Sequence, residues 1–251
     1  MTTDGIVIQA RSGSTRMPAK ILRPFDGDLR IIDILLERIK AANPGRRVVL
    51  ATTTAPADDV LEQVARDHGT DCFRGSEEDV LDRFLGAADT FELERIVRVC
   101  SDNPFLQAGS FDAMFDRQTA TGADYVGFAF PDGRPTIKSH LGLYAELATT
   151  DALRRAAAAT QEKLYREHVT IYLYTHPDQF KLSLLPLPGI LSTRTDLRLT
   201  LDTPADFALL KELYRRLGSE TDGSLGALVA LVDSDSRYAR IMKQNIEQNE
   251  K

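Results

Sequence analysis

The first two-thirds of the chain alternates short apolar runs with amphipathic stretches. Ile6 to Ala10, Arg47 to Thr52, Asp71-Cys72-Phe73, Arg95 to Cys100 and Asp124 to Phe128 read as strands. Between them, 31–42 carries Ile32, Ile34, Leu35, Leu36 and Ile39 at helical spacing, and 56–68 turns Val60, Leu61 and Val64 inward. Helices are also predicted over 77–88 and 108–120. Strands that are apolar along their length and alternate with helices predict an α/β fold: a mostly parallel sheet covered on both faces. Phe111, Phe115, Tyr125 and Phe128 recur at helix or strand spacing, which assigns them to core packing.

The rhythm changes after Phe130. Pro131-Asp132-Gly133-Arg134-Pro135 is a turn signal, a polar stretch runs to Tyr144, and a helix is predicted over 151–163. Residues 182–201 hold repeated prolines and the alternating run Leu197-Arg198-Leu199-Thr200-Leu201, which reads as extended chain feeding a late strand. Thr203 is placed to cap a helix with Pro204 at its first position and Asp206 in its first turn. That helix runs through Leu209, Leu210 and Leu213, and the helical C-terminus is expected to fray beyond Met242. These patterns predict one domain over 1–251 with a protruding portion around 131–200.

Composition narrows the classes. The chain is 43% hydrophobic and 27% charged, as in an ordinary globular protein, and its net charge of −6 argues against a broad nucleic-acid-binding face. Cys72 and Cys100 are the two cysteines and are expected to be free thiols. No apolar run is long enough to span a membrane and the start lacks a basic leader region, so a cytoplasmic location is expected. His68, His140, His168 and His176 show no paired metal-ligand spacing, and there is no Gly-x-Ser-x-Gly elbow, so neither a structural zinc nor a serine hydrolase is indicated.

The chemistry concentrates where the first strand ends. Arg11, Arg16 and Lys20 are interleaved with Ser12, Gly13, Ser14 and Thr15. A strand ending in small residues and spaced cations can wrap backbone N–H groups and positive charge around a polyphosphate. Arg grips oxygens through a planar fork and Lys as a mobile point charge, while Gly13 allows close backbone approach. Neither a GxxxxGK[ST] loop nor a GxGxxG fingerprint is present. The plain alternative is a solvated basic loop.

Further segments give this loop a context. Gln9-Ala10-Arg11 with Ser14, Arg16, Pro18 and Lys20 resembles the opening of the cytidylyltransferases that activate sugar acids, in particular the branch named for spore-coat polysaccharide biosynthesis. Ala51-Thr52-Thr53, Phe73-Arg74-Gly75-Ser76 with Asp79 and Arg83, Val97-Arg98-Val99 before Asp102-Asn103-Pro104, Arg166-Glu167-His168 and Leu199 to Pro204 follow in the same order. The resemblance implies a three-layer α/β/α Rossmann-like nucleotidyltransferase, usually a homodimer, that transfers CMP from CTP to an acceptor oxygen and releases pyrophosphate. It implies phosphate binding by Arg11 and Lys20 and a cytosine pocket lined by Ala10 and Thr52, with Gly13, Ser14, Arg16, Arg74 and Arg83 also at the nucleotide. Asp102 and Asp202 become the candidates for Mg²⁺, with Arg11, Lys20 and Asp102 carrying the catalysis. Relatives commonly have Gly where Ser101 stands, so the loop is expected to be less permissive here.

A strand-end carboxylate can hold Mg²⁺ while cations stabilise charge on the phosphorus oxygens. Without the resemblance, Asp102 before Asn-Pro reads equally as an Asx-turn residue and Asp202 as a helix-start residue. Arg134, Lys138, His140, Tyr144, Glu146, Arg166 and His168 are the candidates for a small anionic or sugar-like acceptor, with His168 or a metal-bound acceptor as the source of deprotonation. Relatives place a Glu soon after the Pro-x-Gly turn, whereas Glu146 lies thirteen residues beyond Gly133. The competing readings are a uridylyl- or guanylyltransferase acting on a sugar phosphate and a non-catalytic nucleotide-binding subunit.

Overall fold

The computed structural model describes residues 3–14, 16–218 and 224–249; Thr15 of the basic loop lies outside them. The apolar runs form the centre of a seven-stranded sheet. β1 (Asp4–Gln9) pairs in parallel with β4 (Arg47–Thr53) on one side and β6 (Arg95–Cys100) on the other, and β4 pairs in parallel with β5 (Asp71–Gly75). A small hairpin of β2 (Pro24–Asp26) and β3 (Leu29–Arg30) leads into α1 (Ile31–Ala42). Beyond β6, the reversed strand β8 (Glu146–Thr149) joins β6 to β7 (Tyr125–Ala129), which pairs in parallel with the edge strand β9 (Leu182–Pro186). The order is β5-β4-β1-β6-β8-β7-β9, a mixed and mostly parallel sheet.

Helices cover both faces. On one side α1, α4 (Phe111–Thr121), α8 (Pro204–Leu217), α9 (Leu225–Asp233) and α10 (Ser236–Gln248) pack around Ile6, Ile8, Val97 and Val99. On the other, α3 (Val80–Thr90), α5 (Thr150–Ala159) and α7 (Ile171–Thr175) pack on Val7, Val49 and Ile96, with α6 (Lys163–Glu167) beside them. α2 (Asp59–Asp67) follows β4 and buries Leu61 and Val64, leaving Val60 exposed. Successive strand residues face opposite sides, so a strand apolar throughout feeds both cores, as the sequence pattern required. Phe111, Phe115, Tyr125 and Phe128 are all buried.

Three segments differ from the sequence reading. The portion around 131–200 contributes β8 and β9 to the central sheet and α5 to α7 to one covering layer. Leu197 to Leu201 is extended but joins no sheet: Leu199 N–H donates to the His140 carbonyl at 2.9 Å and Leu201 N–H to the Asp102 carbonyl at 2.9 Å. Its alternation does not mark an exposed face, because Arg198 and Thr200 are buried as well as the leucines. Gly142, at φ +63°, lies against this segment so closely that a Cβ would meet Leu199 backbone atoms at 2.8 Å. The expected fraying beyond Met242 is also corrected, since α10 continues to Gln248 and buries Asn245.

The cap at Thr203 forms as its sequence predicts. Its hydroxyl accepts from the Asp206 N–H at 3.1 Å while the Asp206 carboxylate accepts from the Thr203 N–H at 2.9 Å. The same carboxylate takes a bidentate pair from the buried Arg198, Nε at 2.7 Å and Nη2 at 2.8 Å. Burial alone would raise the Asp206 pKa, but the Arg198 hydrogen bonds and charge hold it below the ordinary value of 3.8. A carboxyl lowered on folding stabilises the protein above its unfolded pKa. This contribution is therefore full at neutral pH and is lost as pH falls below 3.8. Asp206→Ala, which strands the Arg198 charge in the core, is expected to cost about 3–5 kcal/mol in urea unfolding; replacing Arg198 and Asp206 together by Met and Leu should recover most of that loss.

Candidate functional site

Open parallel sheets bind ligands beyond the carboxyl ends of their strands. A cavity of about 820 Å³ opens there, at the ends of β1 and β6. The basic loop leaves β1 at Gln9 and is tied down at once: the Ser12 N–H donates to the Asp58 carboxylate at 2.7 Å and Ala19 N–H to the Ser12 carbonyl at 2.9 Å. Ala19 then takes the left-handed conformation at φ 54° and starts a short 3₁₀ turn over Lys20–Leu22. A non-glycine residue there carries a strain of about 1 kcal/mol. The turn aims Lys20 inward while Ile21 anchors it in the core.

Lys20 meets two carboxylates. Its ammonium donates to Asp102 at 2.8 Å and to the Leu201 carbonyl at 2.5 Å, and lies 3.8 Å from Asp202. Burial pulls the Lys20 pKa down, but Asp102 and then Asp202 raise it above its ordinary value. Asp102 stands on the loop after β6, and Ser101 before it donates its N–H to the Gln9 carbonyl at 3.3 Å. Among described non-glycine residues only Ala19 and Glu92 have positive φ, so the backbone at Ser101 demands no glycine. Asp202 is fixed twice: Arg198 Nη2 reaches its carboxylate at 3.3 Å, and its own N–H donates to Asp206 at 3.0 Å. Arg198 Nη1 also lies 2.6 Å from His140 Nδ1; a guanidinium can only donate, so Nδ1 is the acceptor in that contact.

Of the remaining sequence candidates, Arg11, Ser14, Arg16, Lys138, Tyr144 and His168 line the same cavity. Arg11 faces Glu167 at 3.8 Å across it, and the Lys138 ammonium lies 5.1 Å from the centre of the Tyr174 ring. Burial pushes the Tyr144 hydroxyl up to about 12, which keeps it a neutral donor. Glu146 sits behind the cavity wall, where Arg98 at 2.7 Å, Tyr125 at 2.8 Å and Thr170 at 2.9 Å saturate it. Arg98, which sequence reasoning passed over, does reach the cavity; it is the cross-strand partner of Glu146 and also donates to Gln9 at 3.2 Å. A charge inside the otherwise apolar run Ile96 to Val99 was the available signal.

The others stand outside the cavity. Arg74 is spent on the carbonyls of Thr53 and Ala55 and on Glu62. Arg166 donates to Asp79 at 2.7 Å and to the Ala157 carbonyl at 3.2 Å, tying α6 to α3. Arg134 lies over the Phe130 ring and near Asp132 in the turn. Ala10 is buried in the core, and Gly13 lies against Glu77. Arg83 is fully buried and packs against Gly75, which pairs with Thr53 at the carboxyl end of β4. Its Nη1 donates to the Ser76 carbonyl at 2.8 Å, whereas its Nε and Nη2, like the Thr52 hydroxyl, have no hydrogen-bond partner. Burial first, and then the Arg11 charge, pull Arg83 down to about 10.

The cavity thus joins cations suited to phosphate oxygens with two carboxylates that share one ammonium. Among the described residues no three His, Cys, Asp or Glu side chains converge as an all-protein metal cage. Mg²⁺ is commonly held by one or two carboxylates with substrate phosphates and water completing the shell, and Asp102 with Asp202 fit that mode. No helix among the described residues is long and apolar enough to cross a membrane, and neither cysteine forms a disulfide.

Comparison with known proteins agrees with this architecture. A sequence model of the family described as cytidylyltransferase matches residues 6–234. An uncharacterized protein of Methanocaldococcus jannaschii is 39% identical over 209 residues, 83% of this chain and 82% of that protein. The spore coat polysaccharide biosynthesis protein SpsF of Bacillus subtilis is 34% identical over 232 residues, 90% of this chain and 92% of its own length. The solved structure of a cytidylyltransferase from Leptospira borgpetersenii superposes with a TM-score of 0.84 at 30% identity, covering 95% of this chain and 97% of that one. The chain belongs to the cytidylyltransferase family and is a nucleotidyltransferase with the mixed, mostly parallel sheet of that fold.

Proposed function

We propose that the chain transfers CMP from CTP to an oxygen of a sugar, sugar acid or related anionic metabolite, with Mg²⁺ and release of pyrophosphate. The observation that carries this reading is Lys20 held between Asp102 and Asp202 at a strand-end cavity that also receives Arg11 and Arg16. The acceptor oxygen forms a bond to the α-phosphorus while the bond from that phosphorus to the pyrophosphate oxygen breaks. Arg11, Arg16 and Lys20 take up the charge that develops on the departing oxygens, where preorganised cations act most strongly. Asp102 and Asp202 would hold the Mg²⁺, which supplies further neutralisation of phosphate charge. His168, on the cavity wall, receives the acceptor proton. SpsF's place in polysaccharide biosynthesis supports a sugar acceptor.

Arg83 supports the choice of base. Its Nε–H and Nη2–H are both unpaired but buried outside the cavity lining, so a base meets this planar two-donor fork only when the packing over it opens. Cytosine offers two adjacent acceptors, O2 and N3, to such a fork; uracil offers one acceptor beside an N–H. Pairing would also relieve the cost of leaving buried donors unsatisfied.

Calorimetric titration of CTP, UTP, ATP and GTP with Mg²⁺ is expected to give the tightest binding with CTP, and sugar acids added to that mixture should release pyrophosphate. Preference for UTP or GTP would redirect the assignment to a uridylyl- or guanylyltransferase, and binding without turnover on any acceptor would favour a non-catalytic subunit. Arg83→Met should weaken CTP binding about 10- to 100-fold and erase its margin over UTP. Lys20→Met should lower turnover about a hundredfold or more. It should also make the melting temperature rise more with Mn²⁺ than it does in the unaltered protein, because Asp102 and Asp202 lose their shared cation; equal shifts would remove them as a cation site.

A further inference from the structure

The family match ends at residue 234, and α10 begins just beyond it at Ser236. This helix reaches the site at two points. Asn245, buried on its inner face, donates from Nδ2 to Asp206 Oδ1 at 2.9 Å. The other oxygen of that carboxylate accepts the Asp202 N–H, and Arg198, locked by Asp206, holds the Asp202 side chain. One turn further on, Asn249 caps the helix on the cavity wall. Its Nδ2 donates to the Asn245 carbonyl at 3.0 Å and its Oδ1 accepts from Arg16 Nη1 at 3.3 Å.

We infer that α10 is a working part of the site and that Asn245 is a positioning residue for Asp202, acting through Asp206 and Arg198. The inference rests on the reading of Asp102 and Asp202 as the metal-binding carboxylates. Arg198 and the Thr203 N–H already hold the Asp206 carboxylate, and the Asn245 amide adds a donor on Oδ1 opposite the Oδ2 that takes the Asp202 N–H. Groups that orient a metal ligand from behind commonly change metal affinity or activity 10- to 100-fold when removed. Arg16, an exposed and flexible cation, gains a fixed partner from the same helix.

The test is Mn²⁺ binding to the full chain with CTP, followed by electron paramagnetic resonance, alongside steady-state kinetics. Asn245→Ala is expected to raise the Mn²⁺ dissociation constant about tenfold and lower kcat while leaving the KM for CTP nearly unchanged. The isosteric Asn245→Asp preserves packing, replaces the donor with an acceptor and should shift Mn²⁺ binding at least as far. Tyr238→Phe, on the same helix as Asn245, supplies the structural control: it removes the hydroxyl that donates to Glu212 and accepts from Arg216 of α8, without touching Asp206. It should lower stability and leave Mn²⁺ affinity alone. Unchanged Mn²⁺ affinity in both Asn245 variants, or an equal shift in Tyr238→Phe, overturns the inference while the assignment of the metal carboxylates stands. An unaltered protein that binds no Mn²⁺ with CTP overturns both.

Discussion

The pair between Arg198 and Asp206 is the interaction on which the active end of the molecule depends. Two charges removed from water cost several kcal/mol each, and only near-complete hydrogen bonding offsets that cost. Here Asp206 accepts from both Arg198 nitrogens, from the Asp202 and Thr203 backbones and from Asn245, while Arg198 also reaches Asp202 and His140. Four separate stretches are thereby fixed to one point: the 140–142 loop, the extended 197–201 segment, the start of α8 and the last turns of α10. An apolar pair of similar volume would hold the packing as well. It would not hold Asp202 opposite Lys20, and that is the consequence with functional weight.

A second buried pair shapes the other side of the cavity. Arg98 and Glu146 face each other across β6 and β8, where the sheet passes from parallel to antiparallel pairing. Because β8 runs backwards, the residue that opens it lies toward the same end of the sheet at which β1 and β6 finish. A carboxylate there, saturated by Arg98, Tyr125 and Thr170, ties the sheet to the segment leading into α7. The cavity is consequently bounded by two charge networks of different character. One converges two carboxylates on a lysine at the cavity, and the other pairs a buried carboxylate with a buried arginine that reaches the lining.

Much of this was legible along the chain, for identifiable reasons. β1, β4 and β6 are apolar throughout because both faces are covered, and their ends mark where Arg11 and Asp102 fall. The Thr203 cap was readable because a capping box is local. The basic loop and the two aspartates lie at one cavity although they are distant in sequence. β8 was not legible: Glu-Leu-Ala-Thr is short and begins with a charge whose burial depends on Arg98, 48 residues away. The run 197–201 imitates a half-exposed strand because Arg198 is polar, yet its polarity is satisfied inside by Asp206. Arg74 and Arg166 carry the same motif-level signal as Arg11, and only the fold distinguishes cations spent on neighbouring carbonyls and carboxylates from those left at the cavity. The length of α10 was obscured for a related reason, since its buried contacts beyond Met242 are made by asparagine rather than by apolar residues.

The central claim is that one strand-end site holds a cytidine triphosphate with its phosphates at Lys20 and its metal between Asp102 and Asp202. A crystal structure with CTP and Mn²⁺, phased to show the anomalous signal of the metal, tests it most directly. The account predicts a manganese peak in contact with both carboxylates and with phosphate oxygens, Lys20 turned onto the phosphates, and Arg83 uncovered so that its Nε–H and Nη2–H meet the cytosine O2/N3 edge. A metal peak away from Asp102 and Asp202, or a nucleotide bound elsewhere than the ends of β1 and β6, would contradict it.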